Sequence, residues 1–209
     1  VNIFNDNYTL EELNVNETSI VTLEFLVSQD APFGHNFNLF LQVESESNSY
    51  ESSFDLVVEP LVDSFEVGDF SDMNWLLSGN ADWSVGSDYS SEGVYSAKSG
   101  SIADNQSSSI SVTLDVTADG VIDFYYKVSA EYSTSGNYFY DGLEFYIDNQ
   151  MVGQYQPTAE GQTPWTQASH FVQSGMHTFT WSYIKDGGPG STDMEEDCAW
   201  VDYISFPPS

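Results

Sequence analysis

The chain has 209 residues, 40% of them hydrophobic, enough for one large domain or two small ones. Thirty-three acids stand against three lysines and no arginine, a net charge of −30, which excludes nucleic-acid phosphates and anionic membrane surfaces as partners. The one cysteine, Cys198, excludes an intrachain disulfide, and no apolar run reaches membrane-spanning length.

Five Trp, thirteen Tyr and fourteen Phe favour strands. No stretch of ten residues holds a helical period, so the chain reads as all-β. It opens at Val1 inside a strand-like run and reads as an excerpt of a longer polypeptide. Residues 1–60 carry eleven acids and no lysine. Phe37, Leu39, Leu41 and Val43 share one strand face, as do Val21, Leu23, Phe25 and Val27. Residues 31–34 (Ala-Pro-Phe-Gly) are a turn signal. Four or five short strands here predict an immunoglobulin-like β-sandwich module that is either small or has its first strands upstream of Val1. Pro60 interrupts the pattern and marks a short joint.

Residues 61–209 predict a second all-β domain, with strands over 62–70, 94–99, 109–116, 121–130, 142–147, 151–155, 166–172, 176–185 and 199–206. About nine strands of this kind make a two-sheet jelly roll. The closing strand is the informative one. Alternation places Cys198, Trp200, Asp202, Ile204 and Phe206 on one face. A carboxylate among apolar groups needs a partner, and three lysines cannot supply many. A metal ion or a set of backbone N–H donors is the remaining neutraliser. In the opening strand Phe65 and Val67 point one way and Glu66 the other. First and last strands of a jelly roll commonly lie near each other, which predicts that Glu66 approaches Asp202. Two carboxylates without a basic partner fit calcium; the alternative is that both accept hydrogen bonds from loop backbone or face water.

Residues 131–141 carry Tyr132, Tyr138, Phe139 and Tyr140 among Ser, Gly and Asn. Exposed aromatics beside polar groups suit a sugar or peptide surface; alternatively, alternate rings fold back onto the sheet. Residues 187–197 cluster Asp193, Glu195, Glu196 and Asp197 after a glycine run, without the spacing of an EF-hand loop. Catalysis finds little support. His35, His170 and His177 have no metal-ligand spacing, no Gly-x-Ser-x-Gly elbow exists, and Cys198 lies where a small hydrophobe belongs.

A set of ordered motifs adds to this reading. They are Phe65-Glu66-x-Gly68-Asp69-Phe70, Trp75, Gly79-Asn80-x-x-Trp83, Tyr95-Ser96-Ala97-Lys98-Ser99-Gly100 and Asp104-Asn105-Gln106-Ser107-Ser108. Phe124-Tyr125-Tyr126-Lys127, Phe145-Tyr146-Ile147-Asp148, His177-Thr178-Phe179-x-Trp181 and Asp197-Cys198-Ala199-Trp200-Val201-Asp202 follow. Together they resemble the jelly-roll modules in the C-terminal regions of gingipain-type and other type IX-secreted bacterial surface proteins, related to cleaved-adhesin and MAM-like domains. The resemblance covers about residues 61–208; residues 1–60 resemble, less specifically, the immunoglobulin-like segment that precedes such modules.

The resemblance implies a secreted or cell-surface, non-catalytic accessory module, adhesin-like or binding carbohydrate or protein. It also implies stabilisation by calcium at Glu66 and Asp202, with Asp63 and Asp69 as further candidates. The partners would be a glycan or a host or matrix protein, and neighbouring domains of the parent chain. The alternative is a structural spacer that packs on or positions a neighbouring protease domain. The chain departs from the family in two long loops, 131–141 and 186–197.

Overall fold

The computed structural model describes residues 2–3, 8–9, 17–26, 36–45, 48–58, 60–133, 138–157, 161–188 and 196–209. The chain divides into two compact units, Val1–Glu59 and Pro60–Ser209. The described residues contain no helix, and so none long and apolar enough to cross a membrane.

In the first unit, β1 (Asn2–Ile3) pairs antiparallel with β2 (Phe25–Leu26). β3 (Asn36–Glu44) pairs with β4 (Ser49–Val57) from Asn36↔Val57 to Glu44↔Ser49. The Ser45 N–H closes the hairpin on the Asn48 carbonyl at 2.8 Å. The face predicted for Phe37, Leu39, Leu41 and Val43 meets Leu56, Phe54, Ser52 and Tyr50 across the pair. The turn signal at 31–34 lies outside the described residues.

The second unit is a jelly-roll sandwich. Its strands are β5 (Val62–Asp63), β6 (Leu76–Gly79), β7 (Ser84–Gly86), β8 (Ser96–Lys98), β9 (Ser107–Val116) and β10 (Gly120–Ser129). β11 (Gly142–Ile147), β12 (Gln150–Tyr155), β13 (Thr166–Val172), β14 (Gly175–Ile184) and β15 (Cys198–Ser205) complete it. One sheet has the order β13-β10-β15-β8-β7, with β5 on the end of β15; the other has the order β12-β11-β14-β9-β6. All pairings are antiparallel, so each strand alternates inward and outward residues. Ile110, Val112, Leu143, Phe145, Phe179 and Trp181 from one sheet meet Ile122, Phe124, Val128, Ala199 and Val201 from the other in a single buried core.

Aromatic rings dominate that core. Trp181 lies 4.8 Å from Phe145, 5.4 Å from Phe124 and 5.8 Å from Trp75, centroid to centroid. Such pairs add to the area they bury.

Three elements differ from expectation. The opening strand predicted over 62–70 ends at Asp63, because Phe65 takes a left-handed backbone conformation, φ 59°, and turns the chain away. Phe65 is therefore buried and Val67 exposed, not paired on one face. β6 and β7, of four and three residues, have no counterpart in the sequence pattern, being too short to show a period.

Replacing Trp181 with Ala removes the ring that three others pack against. The expected loss is about 3–5 kcal/mol, read as a fall in the denaturation midpoint of the second unit.

Candidate functional site

The closing strand departs from the predicted alternation at one residue. Tyr203 has φ 45°, and the pairing with β10 slips there, from Tyr125↔Asp202 to Asp123↔Ser205. A bulge of this kind puts two residues against one and reverses the facing beyond it. Ala199 and Val201 face the core before the bulge, Ile204 and Phe206 after it. Asp202 therefore does not share a face with Ile204 and Phe206. It lies with Cys198 and Trp200 on the other side of β15, where Tyr89 packs on Trp200 at 5.0 Å.

The loop between β7 and β8 covers this side. Asp202 is fully buried, and backbone donors surround its carboxylate. Oδ2 accepts from the N–H of Ser91 at 2.6 Å and of Glu92 at 3.1 Å; Oδ1 accepts from Tyr203 N–H at 2.7 Å. Burial pushes its pKa up, those three N–H groups pull it down, and the nearby Glu66 charge raises it further. The same loop holds Glu66, whose Oε1 accepts from Val94 N–H at 2.8 Å and Tyr95 N–H at 2.9 Å. The structure thus brings Glu66 and Asp202 to one loop, which gives Asp202 two backbone N–H donors, besides that of Tyr203, and Glu66 two.

Local backbone geometry is specialised here. Phe65, just before Glu66, and Tyr203, just after Asp202, are bulky residues in the left-handed region. Each costs about 1–3 kcal/mol and persists only where its surroundings over-determine it. Gly93 sits under the Glu66 carboxylate at φ 61°, where a Cβ would collide with it.

Asp63 and Asp69 serve otherwise. Asp63 is buried and accepts from Phe65 N–H at 2.9 Å and from the Trp75 indole N–H at 2.7 Å. Burial raises its pKa against those two bonds. Asp69 is exposed and caps Ser71 N–H at 2.9 Å, which lowers its pKa.

The lysines are all engaged. Lys98 meets Glu196 at 2.8 Å and lies over the Trp200 ring. Lys185 is paired with Asp197 and lies 3.9 Å from Asp141. Lys127 donates to the Thr163 carbonyl at 3.0 Å and sits over the Tyr89 ring. Glu196 and Asp197 are thus ion-pair partners; Asp193 and Glu195 lie outside the described residues.

In the long loop, Tyr138 and Tyr140 stack with centroids 6.2 Å apart and planes 13° from parallel, and Tyr138 is 64% exposed. Phe139 turns back over Gly142, and Tyr132 is half-buried. At the base of this loop Glu131, Asp141 and Asp186 bring carboxylate oxygens within 4.8 Å of one another, a grouping that the sequence reading missed because its members lie far apart along the chain. Asp141 is buried and accepts from Asp186 N–H at 2.9 Å. Burial pushes its pKa up to about 6, against that bond and Lys185, with Asp197 and Asp186 raising it further.

Cys198 is buried and His170 and His177 are hydrogen-bonded, while His35 lies outside the described residues. Burial pushes the Cys198 thiol up to about 12. His177 Nδ1 bonds Asp148 at 2.6 Å, and His170 Nε2 bonds the Tyr155 hydroxyl at 2.6 Å.

The chain shares its fold with two cleaved adhesin domains of Lys-gingipain (Kgp) from Porphyromonas gingivalis W83. The K1 domain matches with a TM-score of 0.50 and 16% identity, over 70% of this chain and 96% of that one. The K3 domain matches with a TM-score of 0.50 and 14% identity, over the same shares. The CBM22-1 xylan-binding domain from Paenibacillus barcinonensis Xyn10C gives a TM-score of 0.40 at 16% identity, over 69% of this chain and 90% of that one. At these identities the likeness is one of fold. No protein-family model matches the chain, and no curated protein does.

Two outcomes are expected. Gly93→Ala should destabilise the second unit by more than the usual ~1 kcal/mol of a strained Gly→Ala change, because φ and the Glu66 carboxylate both oppose it; chemical denaturation reads this. For Asp141 the folded pKa of about 6 lies above the ordinary 3.8. Its contribution is therefore full below pH ~4 and lost as pH rises through ~6. Between pH 5 and 7 the melting temperature should fall with rising pH more steeply than in Asp141→Asn; equal slopes would refute the assignment.

Proposed function

We propose that the second unit is a non-catalytic, calcium-stabilised binding module that works outside the cell and takes a glycan as its ligand. The observation that carries the binding reading is the Tyr138–Tyr140 pair, two nearly parallel rings with Tyr138 open to solvent. Rings held in this way suit stacking on the apolar face of a sugar. A charge of −30 with every lysine engaged favours neutral ligands and cations over anionic ones. The jelly-roll fold agrees with this role.

Calcium at Glu66 and Asp202 fits the donor set. Both are hard oxygen ligands, neither has a lysine partner, and among the described residues no donor reaches Glu66 Oε2. Asp202 would share its oxygens with the loop amides. A cation there would tie the turn after β5 to β15 and hold the loop in place, acting on stability rather than on chemistry.

Two measurements test the proposal. Chelation should lower the melting temperature of the second unit and added calcium restore it, by about 2.7 kcal/mol at a hundredfold excess over the dissociation constant. Asp202→Asn should remove most of that response, and coincident melting curves with and without chelator would sink the metal. On a glycan array, replacing Tyr138 and Tyr140 together by Ala should weaken binding without unfolding the chain. Unfolding instead would make the rings structural.

A further inference from the structure

The outer face of the five-stranded sheet has an unusual composition for this chain. Its core-facing residues include Ile110, Val112, Phe145, Phe179 and Trp181, so the alternate positions face outward. On β9 these are Ser109, Ser111 and Thr113, and on β14 they are Thr178, Thr180 and Ser182. The register aligns them as Thr113↔Thr178, Ser111↔Thr180 and Ser109↔Ser182. Six adjacent outward positions are thus hydroxyls, in a protein where 33 of 209 residues are acids.

The row through Ser109 runs across the whole sheet as Gln154, Glu144, Ser182, Ser109 and Ser78, one residue from each strand. Ser109 bonds Ser182 at 2.8 Å and Thr113 bonds Thr178 at 2.8 Å. Each such pair leaves lone pairs and one hydroxyl hydrogen to offer outward. Glu144, nine-tenths buried on this face, accepts from the Tyr146 hydroxyl and, at 3.0 Å, from Gln154. Burial, followed by the Glu144 bond and charge, pushes the Tyr146 hydroxyl up to about 12 and keeps it a donor. Beside the Tyr146 ring lies an open depression of about 210 Å³, with Asn149 on its rim and Thr180, Ser182 and Ser109 in its lining.

We infer that this hydroxyl face is a glycan-binding surface for an extended, neutral polysaccharide, with one sugar seated against Tyr146 over Thr180 and Ser182. The inference rests on the carbohydrate reading above and names its ligand class and a second contact surface. Charge selects the ligand. A face without cations, on a chain of net charge −30, repels acidic polysaccharides and leaves neutral ones unopposed. Sugar hydroxyls both donate and accept, which matches a row of serines and threonines around one carboxylate and one amide. A row of polar side chains that crosses all five strands suits an extended chain better than a branched one.

The test is affinity electrophoresis of the whole 209-residue chain in gels holding xylan, galactan or glucomannan, with alginate and heparin as acidic counterparts. Retardation by a neutral polysaccharide and by neither acidic one is expected. Thr180→Arg, which lays a long side chain over the depression, should weaken it about tenfold, a change of ~1.4 kcal/mol. Replacing Tyr138 and Tyr140 together by Ala should leave a residual retardation that Thr180→Arg then removes. Where Thr180→Arg melts early, Ser111→Arg on the neighbouring strand takes its place. Retardation that both arginine variants keep but the tyrosine variant loses would overturn the sheet face and leave the carbohydrate reading standing. Retardation only by alginate or heparin overturns the neutral ligand. No retardation by any of the five overturns both.

Discussion

The second unit depends on how a chain with almost no cations accommodates a buried carboxylate. Asp202 is fully buried, and removing such a charge from water costs several kcal/mol unless it is compensated. The compensation comes from three backbone amides, those of Ser91, Glu92 and Tyr203. Charge-assisted bonds of this type are about twice as strong as neutral ones. They require the 88–95 loop to lie on β15, and they require Tyr203 to turn its own N–H back on the preceding side chain. The bulge, the left-handed Tyr203 and the covering loop are therefore parts of one arrangement, and it also sets which residues of β15 reach the core.

The lysines follow the same economy. Lys98 and Lys185 each tie the segment before β15 to the sandwich, through Glu196 and Asp197. Lys127 extends over Tyr89 in the loop that covers Asp202. Three cations thus fasten the surroundings of one strand, while Asp202 itself is left to amides. A lysine beside Asp202 would have made the loop's N–H donors redundant. Its absence makes the loop conformation and the ionisation of Asp202 mutually dependent, and a cation shared with Glu66 would act on that same coupling.

The sandwich was legible because its main strands alternate strictly. β14 alternates His177, Phe179, Trp181 and Tyr183 with Thr178, Thr180 and Ser182, and its span was read to within a residue. The proximity of Glu66 to Asp202 was also legible, from the adjacency of first and last strands. The bulge is not, since nothing in a tyrosine announces a left-handed backbone; Cys198, Trp200 and Asp202 do share a face, and only Ile204 and Phe206 belong on the other. Backbone donors carry no side-chain signature, so the alternative that the structure displays could be named but not located. The carboxylates of Glu131, Asp141 and Asp186 converge only through tertiary folding. The hydroxyls of β9 and β14 are visible as residue types, but their alignment with Glu144 and Gln154 depends on a five-strand register that no local pattern encodes.

Charge also constrains where this molecule can be touched. At −30 its surface repels any anionic partner at distances up to about a Debye length, ~8 Å at physiological salt. Close approach without a cationic partner requires a patch where acids are sparse or already bonded. The outer face of the five-stranded sheet meets that condition, because its central positions are hydroxyls and Glu144 is occupied by Tyr146 and Gln154. The Tyr138–Tyr140 pair meets it differently, by presenting rings next in sequence to Asp141, whose carboxylate Asp186 N–H and Lys185 already engage. The loop covering Asp202 does not meet it, since its amides point inward at Asp202 and Glu66. The proposed recognition and the proposed stabilisation therefore fall to different faces of the sandwich, and substitutions can separate them.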